Sequence, residues 1–176
     1  MANIHYLNNP LETEALLERL CPPVRNWFKD KFPDFTEPQK LAIPAIIDQE
    51  HLLLCSPTGS GKTLTAFLSI IDQLVRRALD GKLEKRVYCV YISPIKALAN
   101  DIQRNLLGPL KEISERYLPD RAQEIRVGLR TGDTPQNERQ KMLRNPPHIL
   151  ITTPESLAIA ITLSLIHISE PTRRRG

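Results

Sequence analysis

The 176-residue sequence is poor in residues that staple a chain or anchor it in a membrane. Its three cysteines, Cys21, Cys55 and Cys89, are scattered, and none stands in a C-x-x-C pair. An odd, dispersed set excludes a disulfide framework and a zinc site. Cys55 and Cys89 fall inside apolar runs, where a free cysteine behaves as a small hydrophobe. No apolar run approaches the roughly 20 residues of a membrane-spanning helix. The opening MANIHYLNNP lacks the basic-then-apolar pattern of a signal peptide. A cytoplasmic location without a membrane partner is therefore expected. Charge is also nearly balanced, at +4. Without Leu163–Gly176, which hold three arginines and one glutamate, it falls to +2. Charge alone thus names no nucleic-acid partner. The basic stretch Arg76, Arg77, Lys82, Lys85 and Arg86 is read as a solvated helix end. Aromatics are only 5% of the residues, so leucine, isoleucine and alanine must build the core. The length suits one domain.

What is present is an alternation of patterns. Leu11–Leu20 reads as a helix, with Leu11, Leu16, Leu17 and Leu20 on one side, and Pro22 and Pro23 end it. A second short helix runs over Val24–Lys31, and a third follows Thr36 through Ile47. His51–Cys55 (HLLLC) predicts a buried strand, and Lys62–Leu79 a long helix stopped by Gly81. Val87–Ser93 predicts a strand closed by Pro94, then a helix over Ile95–Tyr117 broken at Gly108-Pro109. Strands over Ile125–Leu129 and His148–Thr152 flank an exposed helix, Pro135–Leu143, and another helix starts at Glu155. Strand and helix alternating this way imply an α/β fold, a parallel sheet with helices on both faces. Functional groups in such sheets gather at the carboxyl ends of the strands.

Ser56–Thr63 reads SPTGSGKT, between a predicted strand and a predicted helix. The phosphate-loop pattern is G-x-x-x-x-G-K-[ST]. Gly61, Lys62 and Thr63 match it, Ser56 replaces the first glycine, and Gly59 is added. Gly59 and Gly61 allow a tight turn with successive N–H groups facing phosphate oxygens. The helix start adds free N–H groups and positive dipole. Lys62 is expected to reach the β- and γ-phosphates, and the Thr63 hydroxyl to ligate Mg2+. The binding set for ATP thus includes Ser56, Thr58, Gly59, Ser60, Gly61, Lys62 and Thr63, with Lys62 and Thr63 as the catalytic pair.

With the first glycine replaced, SPTGSGKT resembles motif I of superfamily 2 helicases. Upstream, FPDFTEPQ (Phe32–Gln39) resembles the Q motif. The resemblance implies that Gln39 reads the adenine edge and Phe32 stacks nearby. Downstream, YISPIKALAND (Tyr91–Asp101) resembles motif Ia, RTGDTP (Arg130–Pro135) motif Ib and ITTPESL (Ile151–Leu157) motif Ic. In this wording the set is most similar to the large helicase-related (Lhr-type) family, over about Leu11–Leu157. The resemblance implies a RecA-like domain, ATP-driven unwinding or translocation, and a single-stranded or partly duplex nucleic acid as partner. It favours DNA over RNA, 3′-to-5′ movement and a repair setting. Motifs Ia, Ib and Ic then hold the sugar-phosphate backbone through Pro94, Lys96, Ala97, Thr131, Gly132, Thr134, Thr153 and Pro154. Such contacts position a strand without reading its sequence. Asp133 and Glu155 are expected to orient neighbours or cap helices.

The family's carboxylate pair, D-E-x-H, does not occur in the sequence. The fold is therefore expected to be incomplete on its C-terminal side, and this polypeptide alone to fold poorly and not turn over ATP. The end, LSLIHISEPTRRRG (Leu163–Gly176), resembles a translated sequencing adapter. Residues 1–162 are accordingly read as the helicase segment and 163–176 as a non-native tail. The competing reading is a non-hydrolysing module that binds ATP and nucleic acid. A third, an unrelated phosphate-loop ATPase, lacks support from Ia, Ib and Ic.

Overall fold

The computed structural model describes residues 4–94 and 102–169. They form two compact units, one from residues 1–83 and 100–124, the other from 84–99 and 125–176. Within the described residues no helix is long and apolar enough to cross a membrane.

The first unit is helical. It contains α1 (Thr13–Arg19), α2 (Pro22–Lys31), α3 (Glu37–Ile47) and α4 (Lys62–Leu79). A π-helical turn (Gln103–Leu107) then runs into α5 (Gly108–Tyr117). Pro22 and Pro23 do end the first helix, and they also open the second. The first turn of a helix needs no N–H partner, so proline sits there without loss. The organiser is α4. Its Leu64, Phe67, Leu68, Ile71, Leu74, Val75 and Ala78 recur at helical spacing and are all buried. They share a core with Leu16, Leu20, Val24, Phe28, Ile43, Leu106 and Ile113. Each large buried side chain stabilises the fold by about 1.5–3 kcal/mol. Three polar residues of α4 are buried with them: Thr65 and Ser69, whose hydroxyls donate to carbonyls four residues back, and Asp72. Asp72 accepts the Cys21 N–H at 2.6 Å and the Arg76 Nε–H at 2.7 Å, which joins the start of α2 to α4. The helix ends at Gly81, whose φ of +67° suits glycine.

Two expectations are corrected here. The helix is not broken at Gly108-Pro109. Pro109 has no N–H, and the Gly108 N–H reaches the Gln103 carbonyl five residues back. The ladder widens by one residue and the helix continues. A Cβ at Gly108 would lie 3.0 Å from that oxygen, so the glycine permits the approach. The second correction is His51–Cys55, which is not a strand and has no ladder partner among the described residues. Its burial still alternates: Leu52 and Leu54 are half-buried, while His51, Leu53 and Cys55 are exposed, Leu53 to 86%. The segment has the period of a strand, but a strand also needs a neighbour's N–H and C=O groups.

The second unit holds the sheet. Its elements are β1 (Cys89–Ile92), β2 (Val127–Arg130), α6 (Gln136–Arg144), β3 (Ile149–Thr152) and α7 (Pro154–Ser169). The strands are parallel, in the order β1-β3-β2. Central β3 is the most buried, with Ile149 at 0% and Ile151 at 2% exposure. Gly128 lies where a Cβ would meet Pro147 Cγ at 2.8 Å, so the chain entering β3 packs directly on β2. As expected, α6 is a surface helix with no buried residue. The register sets Ile92, Thr152 and Arg130 level. The three following turns, at Ser93, Thr153 and Thr131, therefore leave the sheet side by side.

Candidate functional site

The phosphate loop lies in the first unit, at the start of α4. Gly59 and Gly61 have φ of +83° and +87°, a region that residues with a Cβ rarely enter. Gly61 is the N-cap of α4, and its carbonyl accepts the Thr65 N–H at 2.9 Å and the Thr65 hydroxyl at 2.8 Å. The Ser56 and Ser60 hydroxyls meet at 2.6 Å, and Ser60 Oγ donates to the Pro57 carbonyl at 2.8 Å. The Lys62 ammonium turns back into the loop, donating to the carbonyls of Ser56 and, at 2.7 Å, Pro57. A cation thus lies within a loop whose Gly59 has open space around its Cα, since a Cβ there would meet nothing within 4 Å. Thr58 is exposed, and Thr63 is half-buried one residue into the helix. Residue types, backbone and cation all fit an anionic phosphate.

The segment resembling the Q motif is wired into this loop. The Thr36 hydroxyl donates to the Ser60 carbonyl at 3.0 Å. Gln39 is buried, and its Oε1 accepts the Thr36 N–H at 2.9 Å, one half of a capping box for α3. The Gln39 Nε2 lies against Gly61, 2.8 Å from where a Cβ would stand. Any residue but glycine at 61 therefore meets both backbone strain and this amide. Asp34 anchors the approach. It accepts the Thr13 hydroxyl, the Phe35 N–H at 2.7 Å and, as an ion pair at 2.9 Å, the Lys40 ammonium. These donors, the Thr13 hydroxyl first, hold its carboxyl below the usual carboxylate range. Phe32 is 36% exposed and packs its ring on Trp27 and Phe28, while Phe28 stacks on Phe35 at 3.8 Å.

In the second unit, Thr131–Thr134 forms a closed turn after β2. The Thr131 N–H donates to Thr134 Oγ1 at 2.8 Å, and the Thr134 N–H to the Thr131 carbonyl at 3.3 Å. Thr134 is buried, so its hydroxyl serves the turn itself. Gly132 and Asp133 are exposed. Thr153, also buried, accepts the Ser156 N–H at 3.3 Å and donates to Ser156 Oγ at 3.1 Å, a side-chain cap at the start of α7. Pro154 is exposed in the first turn of that helix. In the turn after β1, Ser93 is buried and donates its N–H to the Thr152 carbonyl at 3.1 Å, and Pro94 is exposed. Lys96 and Ala97 lie outside the described residues. The basic stretch is largely spent locally: Arg76 on Asp72, Lys82 on Asp80 and Arg86 on Glu84.

Sequence reasoning did not find three of these groups. The Thr36 link to Ser60 could have been suspected from T-x-x-Q, a capping pattern. Asp34 carries no local signal, and neither does Arg139, whose guanidinium braces the Thr131–Thr134 turn by donating to the carbonyls of Thr134 and Gly132.

The DEAD/DEAH box helicase family profile matches residues 36–172. The chain is 50% identical over 163 residues to the ATP-dependent helicase Lhr-Core of Methanocaldococcus jannaschii, covering 92% of this chain and 19% of that protein. It is 46% identical over 163 residues to the Lhr helicase/uracil glycosylase of Escherichia coli, covering 88% of this chain and 10% of that one. Among solved structures, the Mycobacterium smegmatis helicase Lhr bound to ssDNA and AMP-PNP is similar, with a TM-score of 0.70 and 44% identity. That match covers 84% of this chain and 18% of the solved one. The DEAD-box helicase Mss116 bound to ssRNA and UDP-BeF shares the fold, with a TM-score of 0.64 at 23% identity over 88% of this chain and 31% of its own. The chain spans about a fifth or less of the Lhr relatives it matches. The parallel α/β architecture is that of a RecA-like helicase domain, and the chain belongs to the DEAD/DEAH box helicase family.

Proposed function

We propose that this chain supplies the ATP-binding half-site and part of the strand grip of an ATP-dependent nucleic-acid helicase or translocase. The observation that carries the reading is the inward-turned Lys62 in a loop of two left-handed glycines. The Lys62 ammonium exchanges its loop carbonyls for β- and γ-phosphate oxygens. The loop N–H groups from Gly59 to Thr63 bind the same phosphates, and Gln39 and Phe32 flank the base. Bound ATP with Mg2+ supplies the phosphoryl chemistry. Among the described residues no cluster of three His, Cys, Asp or Glu side chains could hold a metal. The Thr63 hydroxyl, beside Lys62 at the start of α4, is this chain's own contribution to holding the ion.

The partner is a nucleic-acid strand held by its backbone, with DNA preferred. The solved Lhr relative bound to ssDNA supports that preference. The turns at Ser93–Pro94, Gly132–Asp133 and Thr153–Pro154 contact phosphate and sugar, and the buried hydroxyls of Thr134 and Thr153 shape those turns. In the full-length protein, Lys62→Ala should abolish ATP-driven unwinding and leave nucleotide-independent strand binding largely intact. Equal loss of both would count against the division of roles. Because the sequence contains no Asp-Glu pair, the 176-residue polypeptide alone should show no steady ATP turnover, measured as phosphate release.

A further inference from the structure

We propose that Arg139 is a positioning residue that aims the peptide N–H groups of Gly132 and Asp133 at a strand phosphate. The inference rests on the reading of this turn as a backbone contact. Arg139 sits on α6, a helix with no buried residue, yet its side chain points back to the turn after β2. Its Nε donates to the Thr134 carbonyl at 2.8 Å. Its Nη2 donates to the Gly132 carbonyl at 2.7 Å and lies 3.5 Å from that of Thr131. One guanidinium thus gathers three carbonyls of a four-residue turn. Only a planar fork of several donors can do this, and a lysine ammonium cannot match the geometry.

The consequence follows from peptide planarity. In a trans peptide the N–H points roughly opposite to the preceding C=O. Drawing the Thr131 and Gly132 carbonyls toward α6 turns the Gly132 and Asp133 N–H groups the other way. Neither has a partner among the described residues, and both residues are exposed. Two successive N–H groups on one side make a small anion-binding concavity. The space beside it is open, since a Cβ at Gly132 would meet nothing within 4 Å. The Thr131 N–H is not part of the concavity, because Thr134 Oγ1 takes it.

The test uses the full-length protein and a labelled single-stranded oligonucleotide, with affinity read by anisotropy across a salt titration. Arg139→Ala should weaken binding about tenfold, the effect of misplacing one or two hydrogen bonds. The slope of log affinity against log salt should not change, because Arg139 does not itself touch phosphate. The DNA concentration giving half-maximal ATPase stimulation should rise, with kcat at saturating DNA retained. Arg139→Lys should not rescue. A slope reduced by about 0.7, the value for one lost phosphate contact on a single strand, would show a direct contact and overturn the proposal. Full rescue by lysine would overturn it too. Equal loss of fluorescent-nucleotide binding in both variants would make Arg139 a folding residue and overturn it as well. Gly132→Leu separates this proposal from the reading beneath it. Its Cβ would meet no protein atom within 4 Å, and its side chain should block the strand. If Gly132→Leu binds normally, the turn is not a strand contact. If it binds weakly while Arg139→Ala binds normally, only the role of Arg139 fails.

Discussion

Two short segments, His51–Cys55 and His148–Thr152, share one pattern, a histidine followed by three branched aliphatic residues, HLLLC and HILIT. Both lead into a turn of the proposed sites, the first into the phosphate loop and the second into Thr153. The second becomes the centre of a parallel sheet, bonded on both sides and buried at Ile149 and Ile151. The first stays without a ladder among the described residues and exposes Leu53. Apolar content and period two decide which face a segment buries. They do not decide whether a neighbouring strand is there to bond. Sheet membership is a property of pairs.

The comparison can be tested through the cysteines first, where the largest contrast is expected. Cys55 ends the unpaired segment and is exposed, whereas Cys89 starts β1. Burial pushes the Cys89 thiol up to about 11. Burial, and then the Asp72 carboxylate, push Cys21 up to about 12. At pH 8 the thiolate fraction is then about one in a thousand for Cys89 and about one in ten thousand for Cys21. Ellman's reagent should consume one thiol quickly and the other two only on unfolding. Three thiols of equal rate would mean that β1 is as open as the segment before the phosphate loop.

Next in size is Ile151→Ala, which should cost about 2–5 kcal/mol in chemical denaturation, as a buried isoleucine does. A loss below about 1 kcal/mol would place β3 outside the core. Thr153→Ala should cost about 1 kcal/mol by removing the cap on α7. It must be measured without nucleic acid, so that the cap alone is read. The smallest effect belongs to Leu53→Ala, within about 0.5 kcal/mol of no change. A loss of Ile151 size there would show that the segment is packed in solution, and the contrast would dissolve.

The same distinction explains what could be read in advance. Helix α4 was legible from end to end, because Gly61 and Gly81 bound it and its apolar residues repeat at 3.6. The strands after Val87, Ile125 and His148 were legible to within two residues, because turn residues punctuate them. The phosphate loop was legible because its chemistry depends on a contiguous run of residue types. The rest depends on partners distant in sequence or on a shift of hydrogen-bond register. The π-helical turn arises because Pro109 withholds one donor from an otherwise regular ladder. The residue type of Gln39, an amide with both a donor and an acceptor, is visible in the sequence. That the amide would rest on Gly61 while its oxygen caps α3 required the fold. Thr134 was expected to offer its hydroxyl outward. It lies inside the turn because the Thr131 N–H, left without a sheet partner at the end of β2, takes it. Arg139 gave no signal, because a charged residue on an exposed helix is ordinarily solvated.

The level ends of β1, β3 and β2 carry a consequence of scale. Neighbouring strands lie about 4.8 Å apart, so turns leaving three of them span about 10 Å. A stacked nucleic-acid strand advances about 3.4 Å per nucleotide, so that edge has room for about three phosphates. The spatial order is not the order of the chain: the turn at Thr153, last in sequence, lies between the other two. A track laid along the edge would meet the earliest turn at one end, the latest in the middle and the Thr131 turn at the other. On the proposed strand contact, the footprint of this unit would be a ruler of about three nucleotides, graduated by sheet spacing rather than by the spacing of motifs along the polypeptide.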